Sequence, residues 1–412
     1  MRDDKDPGKI TRRNFLKTGS IGIAALTPGM LVNRPRQNTQ TQLKTVTLGR
    51  TGVKVANIGY GSSRGNLDPS VINYAINKGI TYFDTSEGYG RGQTEINLGK
   101  AIRKRRNEVF ITTKVGSVNA AGRLTKDSTK EEIRDRVMAS LRRLDTPYID
   151  ALFIHGAGDP DFGGFDNPNL DAVYRELKSD GKIRFFGLST HNYNLVDTVR
   201  HAVESNKVDV MLLAYNYFQQ RGAPKDWLKE FNEVVKLAHT KNIGITTMKT
   251  LQGAQGAEVL RQGIGQTDAK LAAAKWSLNN PNVDVAVISL SSIKEIDAFA
   301  GISGSPPDTK DMAILERLSR ERSHTVCRIG CPAPCLRVCL HNVAIPDILR
   351  MNMYFTDYGW EKEAMLEYKT LDEARNGNSC LNCSSNNCSK SCVYGISVRQ
   401  MITEACRNLT LC

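Results

Sequence analysis

The chain has 412 residues and a formal net charge of +13, from 56 Lys and Arg against 43 Asp and Glu; 40% of it is hydrophobic and 7% aromatic. Residues 1–36 hold eight Lys and Arg and three Asp, so +5 of that charge lies there and +8 in the remainder. No Lys/Arg-rich run alternates with aromatics, which argues against nucleic acid as a partner.

In chain order, the first pattern is Thr11-Arg12-Arg13-Asn14-Phe15-Leu16-Lys17, an arginine pair followed by an apolar and a basic residue. The mild apolar run at 18–32 is broken by Gly19, Gly22, Thr27 and Pro28, and is too short and glycine-rich for a stable membrane span. The pattern resembles a twin-arginine export signal. That resemblance implies a periplasmic protein, carried already folded by the twin-arginine export machinery, with residues 1–42 as signal and linker. No small-x-small cleavage site stands out between Ala24 and Gln40, and the absence of cysteine here argues against a lipid-anchored N-terminus.

Next comes a short hairpin, with strands at 45–48 and 53–55 about a turn at 49–52. Eight apolar runs follow, at 56–61, 80–84, 109–114, 150–155, 184–189, 210–215, 244–249 and 285–290. Amphipathic segments of helical period lie between them, at 131–144, 171–180 and 268–279 for example, and Ser128 stands before Glu131 at capping-box spacing. Buried strands alternating with helices read as a parallel sheet, and eight such units fit a closed (β/α)8 TIM barrel better than an open sheet. Gly88-Tyr89-Gly90-Arg91-Gly92 lies after the second strand with the wrong spacing for a nucleotide-binding glycine loop. Arg103, Lys104, Arg105 and Arg106 read as a solvated end of a helix, facing its negative dipole.

Chemistry in such barrels sits at the C-terminal ends of the strands. Those ends offer Asp84 with Tyr89 in the following loop, Lys114, and His155. A carboxylate, a phenol, an ammonium and an imidazole would converge at one mouth. Tyr82-Phe83-Asp84-Thr85-Ser86-Glu87-Gly88-Tyr89-Gly90 with Glu95-Ile96-Asn97-Leu98-Gly99-Lys100-Ala101 resembles the signature of the aldo-keto reductase family. Thr112-Thr113-Lys114, Phe153-Ile154-His155, Gly181-Lys182-Ile183-Arg184 and Gly187-Leu188-Ser189 do likewise, so the resemblance covers about residues 43–302.

The resemblance implies hydride exchange between NADP or NAD and a small carbonyl or alcohol substrate. Tyr89 would be the acid–base group, Lys114 would stabilise its phenolate, Asp84 would hold Lys114, and His155 would donate to the carbonyl oxygen. For the cofactor it implies Ser189 at the carboxamide, Tyr215 and Lys249 after the sixth and seventh strands, and Ser289, Ser291 and Lys294 toward phosphate. Thr190, Leu212 and Met248 stand where the family usually has Asn, Gln and an aromatic residue. A helix cap is the alternative role of the serines.

A linker at 301–308 and a helix at 311–322 lead to a different composition. All ten cysteines lie in the last 86 residues. Eight form two runs, Cys327, Cys331, Cys335, Cys339 and Cys380, Cys383, Cys388, Cys392, separated by an insertion with helices near 347–355 and 360–366. Four thiols within a dozen residues is the local density a metal cluster needs. The runs resemble ferredoxin motifs, and a subgroup of aldo-keto reductases carries such a C-terminal region.

The resemblance implies a small α-rich domain at 311–412 with two [4Fe-4S] clusters, for electron transfer or for structure, and a redox partner. Crossed ligation, as in two-cluster ferredoxins, would place Cys327, Cys331, Cys335 and Cys392 on one cluster and Cys339, Cys380, Cys383 and Cys388 on the other. The spacing departs from the usual run, and Leu340 and Val393 stand where proline is usual. Structural zinc is a third option. The rival function is a non-catalytic exported binding protein whose cap is stapled by disulfides. Cys406 and Cys412 pair with each other or stay free.

Overall fold

A computed structural model describes residues 42–410, apart from 63–67, 119, 159–160, 253, 259, 261–262 and 264. The arginine pair with its apolar run, and Cys412, lie outside the described residues. Residues 41–412 form one compact unit.

The hairpin pairs β1 (Thr45–Thr47) with β2 (Lys54–Ala56) in antiparallel register, Val46 opposite Val55. The barrel strands are β3 (Ile58–Gly61), β4 (Tyr82–Asp84), β5 (Phe110–Val115), β6 (Ile149–His155), β7 (Ile183–Thr190), β8 (Val210–Ala214), β9 (Gly244–Met248) and β10 (Val285–Ser289). They close in sequence order, with β10 returning to β3, and every barrel pairing is parallel. Each expected apolar run became a strand, with Ala56 going to the hairpin instead of the barrel.

Strand alternation sorts the side chains into two shells. Tyr82, Phe110, Ala151, Phe153, Val210, Leu212 and Val285 fill the inside, and Leu48 and Val55 of the hairpin join that cluster. Phe83, Ile111, Leu152, Ile154, Phe186 and Leu213 face the helices. The hairpin turn approaches β9 so closely that a Cβ on Gly49, at φ 45°, would lie 2.2 Å from the Gly244 nitrogen. Only glycine fits there.

The expected helices occur at Lys130–Leu144, Pro168–Ser179 and Gln266–Leu278. Thr129, not Ser128, caps the first: its hydroxyl accepts from Glu132 N at 3.2 Å, while Ser128 Oγ accepts from Thr125 N. The basic cluster after Gln93–Ile102 is also more than a solvated end. Arg106 donates to Asp150 at 2.6 Å and to the carbonyls of Val109 and Tyr148, clamping the starts of β5 and β6.

Beyond Ile293–Ile302, Asp308 opens the helix Thr309–Glu321 through a capping box with Asp311. This helix packs on Gln266–Leu278 through Leu315 and Leu318, and Lys275 holds Asp311 at 2.8 Å. The cysteine region then contributes Ile345–Thr356, Glu361–Tyr368 and Val398–Leu409, with four-residue helices at Pro334–Arg337 and Asn387–Lys390. Its own core mixes Ile348, Leu349, Ile402 and Leu409 with Cys331, Cys335, Cys380 and Cys406. Among the described residues no helix is long and apolar enough to cross a membrane.

Candidate active site and cysteine cavity

Asp84, Lys114 and His155 stand at the C-terminal ends of β4, β5 and β6, in the inner series with Tyr82, Thr112 and Phe153. Lys114 Nζ donates to Asp84 Oδ1 at 2.6 Å and to the Thr85 carbonyl at 2.6 Å; Asp84 Oδ2 accepts from Thr112 Oγ1 at 2.7 Å. Both charges are buried, Lys114 at 1% exposure and Asp84 at 4%, so each depends on the other. Burial alone would push the Lys114 ammonium down, and Asp84 opposes that.

The Tyr89 ring lies against this pair, with Lys114 Nζ 4.8 Å from its centroid and the His155 ring edge-on at 5.9 Å. The loop that carries Tyr89 is pinned. The Glu87 carboxylate accepts from Gly116 N, Ser117 N and Arg136, and Thr94 Oγ1 donates to the Tyr89 carbonyl at 3.2 Å. Gly90, Arg91 and Gly92 all take positive φ, so the glycine-rich stretch is a tight turn into Gln93–Ile102.

The Tyr89 hydroxyl is held well above the usual phenol range, by burial first and then by Asp84 and Tyr354. His155 is pushed well below its ordinary value by burial and then by Lys114, Arg123, Lys249 and Arg350. It is therefore a neutral imidazole. Its Nδ1 lies 3.2 Å from Ser86 Oγ, and in the tautomer where Ser86 donates, Nε2–H is a donor.

The expected cofactor residues divide. Ser189 is the register partner of His155, and its Oγ accepts from Gly156 N at 3.4 Å, beside the acid–base group. Ser289 ends β10 beside Gly61 at the mouth. Tyr215 does not reach the mouth. It falls on the outer parity of β8, where its ring stacks on Phe231 and Trp276 and its hydroxyl accepts from Asn280. Ser291 is engaged by Glu295, Ser292 caps Ile293–Ile302, and Lys294 is exposed on that helix's first turn. The capping role thus holds for Ser292. Lys249, at φ 59°, donates to the Tyr354 hydroxyl at 2.5 Å.

Tyr354 was missed by sequence reasoning. Its helix, Ile345–Thr356, brings it to the barrel mouth from 105 residues beyond Lys249. Arg350 of the same helix is held by Asp347 and Glu367, both at 2.9 Å, and Met353 accepts from Gln252. A helix pairing with distant Lys249 leaves no local signal. The mouth is therefore built from the barrel and the cysteine region together.

Cys327, Cys331, Cys335 and Cys392 line one cavity. Burial and neighbouring thiols push Cys335 up to about 12, and burial raises Cys331 to about 11. Cys380 is pushed up to about 12 by burial and then by Cys339, Cys406, Cys388 and Cys383. The nine described cysteines are all free, and Cys406 accepts from the Tyr368 hydroxyl at 3.5 Å. Among the described residues no group of three or more His, Cys, Asp or Glu is placed to hold a metal ion.

Residues 59–258 match the model described as Aldo/keto reductase family. An uncharacterized oxidoreductase, YqkF of Bacillus subtilis, is 31% identical over 195 residues, 45% of this chain and 60% of that protein. L-galactose dehydrogenase of Arabidopsis thaliana is 28% identical over 285 residues, 62% of this chain and 87% of that protein. NADH-specific methylglyoxal reductase of Escherichia coli is 34% identical over 189 residues, 42% and 56% of the two chains. The chain spans about 60% of the length of the first two curated relatives. The solved structure of aldo-keto reductase AKR11C1 from Bacillus halodurans, in its holo form, has the same fold, with a TM-score of 0.53 at 22% identity over 67% of this chain and 96% of that one. With the buried Asp84–Lys114 pair, Tyr89 and His155 at one mouth, the barrel of this chain is similar to the aldo/keto reductase family over residues 59–258.

Proposed function

We propose that this protein is an exported oxidoreductase that exchanges hydride between NADP or NAD and a small carbonyl or alcohol, and that its cysteine region holds two [4Fe-4S] clusters. The observation that carries the catalytic reading is the buried Lys114–Asp84 pair against the Tyr89 ring, with neutral His155 beside it. Bound nicotinamide supplies or accepts the hydride. The chain's own residues handle the oxygen and its proton. His155 directs an N–H at the carbonyl oxygen, and Tyr89, kept protonated by its surroundings, delivers a proton to that oxygen as negative charge builds on it. Asp84 and Lys114 fix the floor of the site. The names of two relatives, for L-galactose and for methylglyoxal, fit a small carbonyl or alcohol.

The donor set in the cysteine region fits clusters. Four soft ligands line one cavity, and Cys380 has Cys339, Cys406, Cys388 and Cys383 as charge neighbours. Cys327, Cys331, Cys335 and Cys392 would hold one cluster; Cys339, Cys380, Cys383 and Cys388 the other. Clusters supply one-electron storage when bound. A chain that must receive them before leaving the cytoplasm suits a folded-state export route, which is the reading of Arg12 and Arg13. The disulfide-stapled alternative has no paired cysteine among the described residues to support it.

Anaerobic purification tests these claims together. About eight iron atoms and eight sulfides per chain, with broad visible absorbance, are expected for two four-iron clusters, and nicotinamide should be released on denaturation. Colourless protein without free thiols would overturn the cluster reading in favour of the stapled cap. Arg12→Lys with Arg13→Lys should trap iron-loaded protein in the cytoplasm; normal appearance in the periplasm would remove the export reading.

A further inference from the structure

His191 immediately follows β7, two residues after Ser189, so it leaves the barrel at its catalytic mouth. It also lines the cavity formed by Cys327, Cys331, Cys335 and Cys392. Its Nδ1 is buried and has no hydrogen-bond partner. Gln252, which lines the same cavity, leaves Oε1 in the same state, and the Gln219 amide, packed where a Cβ on Gly330 would sit, leaves both of its polar atoms so. Buried polar atoms in folded proteins are matched as a rule, and each orphan costs about 1–3 kcal/mol. Two of these residues, His191 and Gln252, stand in the lining of the thiol cavity itself.

The imidazole is neutral. Burial, then Lys249, Arg350, Arg123 and His155, all act against its protonation. A neutral ring has one N–H to place, and it can place that hydrogen on Nδ1 without adding charge. Thiolate and sulfide sulfurs accept such bonds, and a donor aimed at a cluster sulfur favours the more negative, reduced state.

We propose that His191 is a positioning residue for the four-thiol site: through Nδ1 it donates a hydrogen bond to a sulfur of the cluster held by Cys327, Cys331, Cys335 and Cys392, raising that cluster's reduction potential and tying it to the barrel mouth. This rests on the cluster reading above. It makes the two clusters inequivalent, since only the first faces the barrel through this residue.

The test is an anaerobic redox titration of the full-length iron-loaded protein, followed by electron paramagnetic resonance, with iron measured in every sample. In His191→Leu the oxidised-to-reduced ratio of one cluster at fixed potential should shift about tenfold toward oxidised, which is about 59 mV for a one-electron couple. The other cluster should not move. His191→Gln, which keeps an N–H donor, should reverse most of the shift, returning the cluster close to its wild-type potential. Wild-type protein without iron overturns both the cluster reading and this assignment. Iron-loaded His191→Leu with both potentials unchanged overturns the assignment alone. If His191→Leu loses its iron, His191→Gln decides: iron retained at the wild-type potential supports the donor, and iron retained at a clearly lower potential overturns it.

Discussion

The barrel and the cysteine region solve burial in opposite ways. In the barrel each buried charge has a fixed protein partner. Asp84 holds Lys114, Glu87 holds Arg136, Glu95 accepts from Thr113 and Arg143, and Asp150 takes Arg106 and Arg184. Two apolar shells surround these pairs. The cysteine region has shorter helices, and thiols make up part of its core. Its thiolates would repel one another, and burial already drives Cys331, Cys335 and Cys380 far from ionisation. The proposed clusters would supply a compensating cationic centre, and metal loading would then couple to folding there. The barrel holds Asp84, Lys114 and His155 in place with its own residues, while the thiol core of the cap would be completed by those clusters.

Iron removal should break this symmetry most strongly. Structural zinc sites in small domains contribute about 10–16 kcal/mol of apparent binding free energy, and a cluster that organises the cap belongs on that scale. After chelation under oxidising conditions, amide exchange should accelerate throughout Ile345–Thr356 and Val398–Leu409 while β5 and β6 keep their protection. Simultaneous loss in both regions would mean that the barrel is not self-sufficient.

A barrel-only change should leave the cap untouched. Tyr89→Phe removes the proton donor and should lower carbonyl reduction by about 10²–10⁴, the usual span for a general acid. Nucleotide binding and iron content should persist. Near-full turnover in this variant would remove Tyr89 from its role.

Lys114→Met should test how far the barrel depends on its pairs. It strands a buried Asp84 carboxylate and should cost about 3–5 kcal/mol of stability in urea unfolding. Adding Asp84→Asn should recover part of that loss. A single substitution costing under about 1 kcal/mol, the range of exposed pairs, would show that solvent reaches the site.

The smallest effect is in pH. His155 is neutral in the fold because its pKa is depressed, so the unfolded chain takes up a proton first as pH falls. The stabilisation is full above the unfolded value of about 6.5 and declines below it, by about 1.4 kcal/mol per pH unit for one proton. His155→Asn should reduce the acid slope by about one proton in unfolding measured from pH 7 down to pH 5. An unchanged slope would show that His155 is charged in the folded state.

Much of this protein was legible along the chain. Eight apolar runs of strand length separated by helical periods lead to a barrel, because parallel strands buried on both faces need a crossover between them. Asp84, Tyr89, Lys114 and His155 could be placed at one mouth because strand ends in a barrel share a rim. Parity along β8 decided against Tyr215: one step beyond the strand turned its ring toward Phe231 and Trp276. Local spacing also could not choose Thr129 over Ser128 as a cap, since adjacent hydroxyls differ only in which one takes extended backbone before the helix.

The sequence by itself determined the barrel, the meeting of Asp84, Tyr89, Lys114 and His155 at one mouth and the density of thiols, because periodicity and motif spacing are local properties. Only the tertiary structure decided that Tyr354 meets Lys249, that Asp84 and burial hold Tyr89 protonated, and that His191 faces the thiol cavity. Those facts depend on how a helix from the end of the chain docks on the mouth, and on desolvation summed over residues far apart in sequence, neither of which leaves a mark in any short stretch of residues.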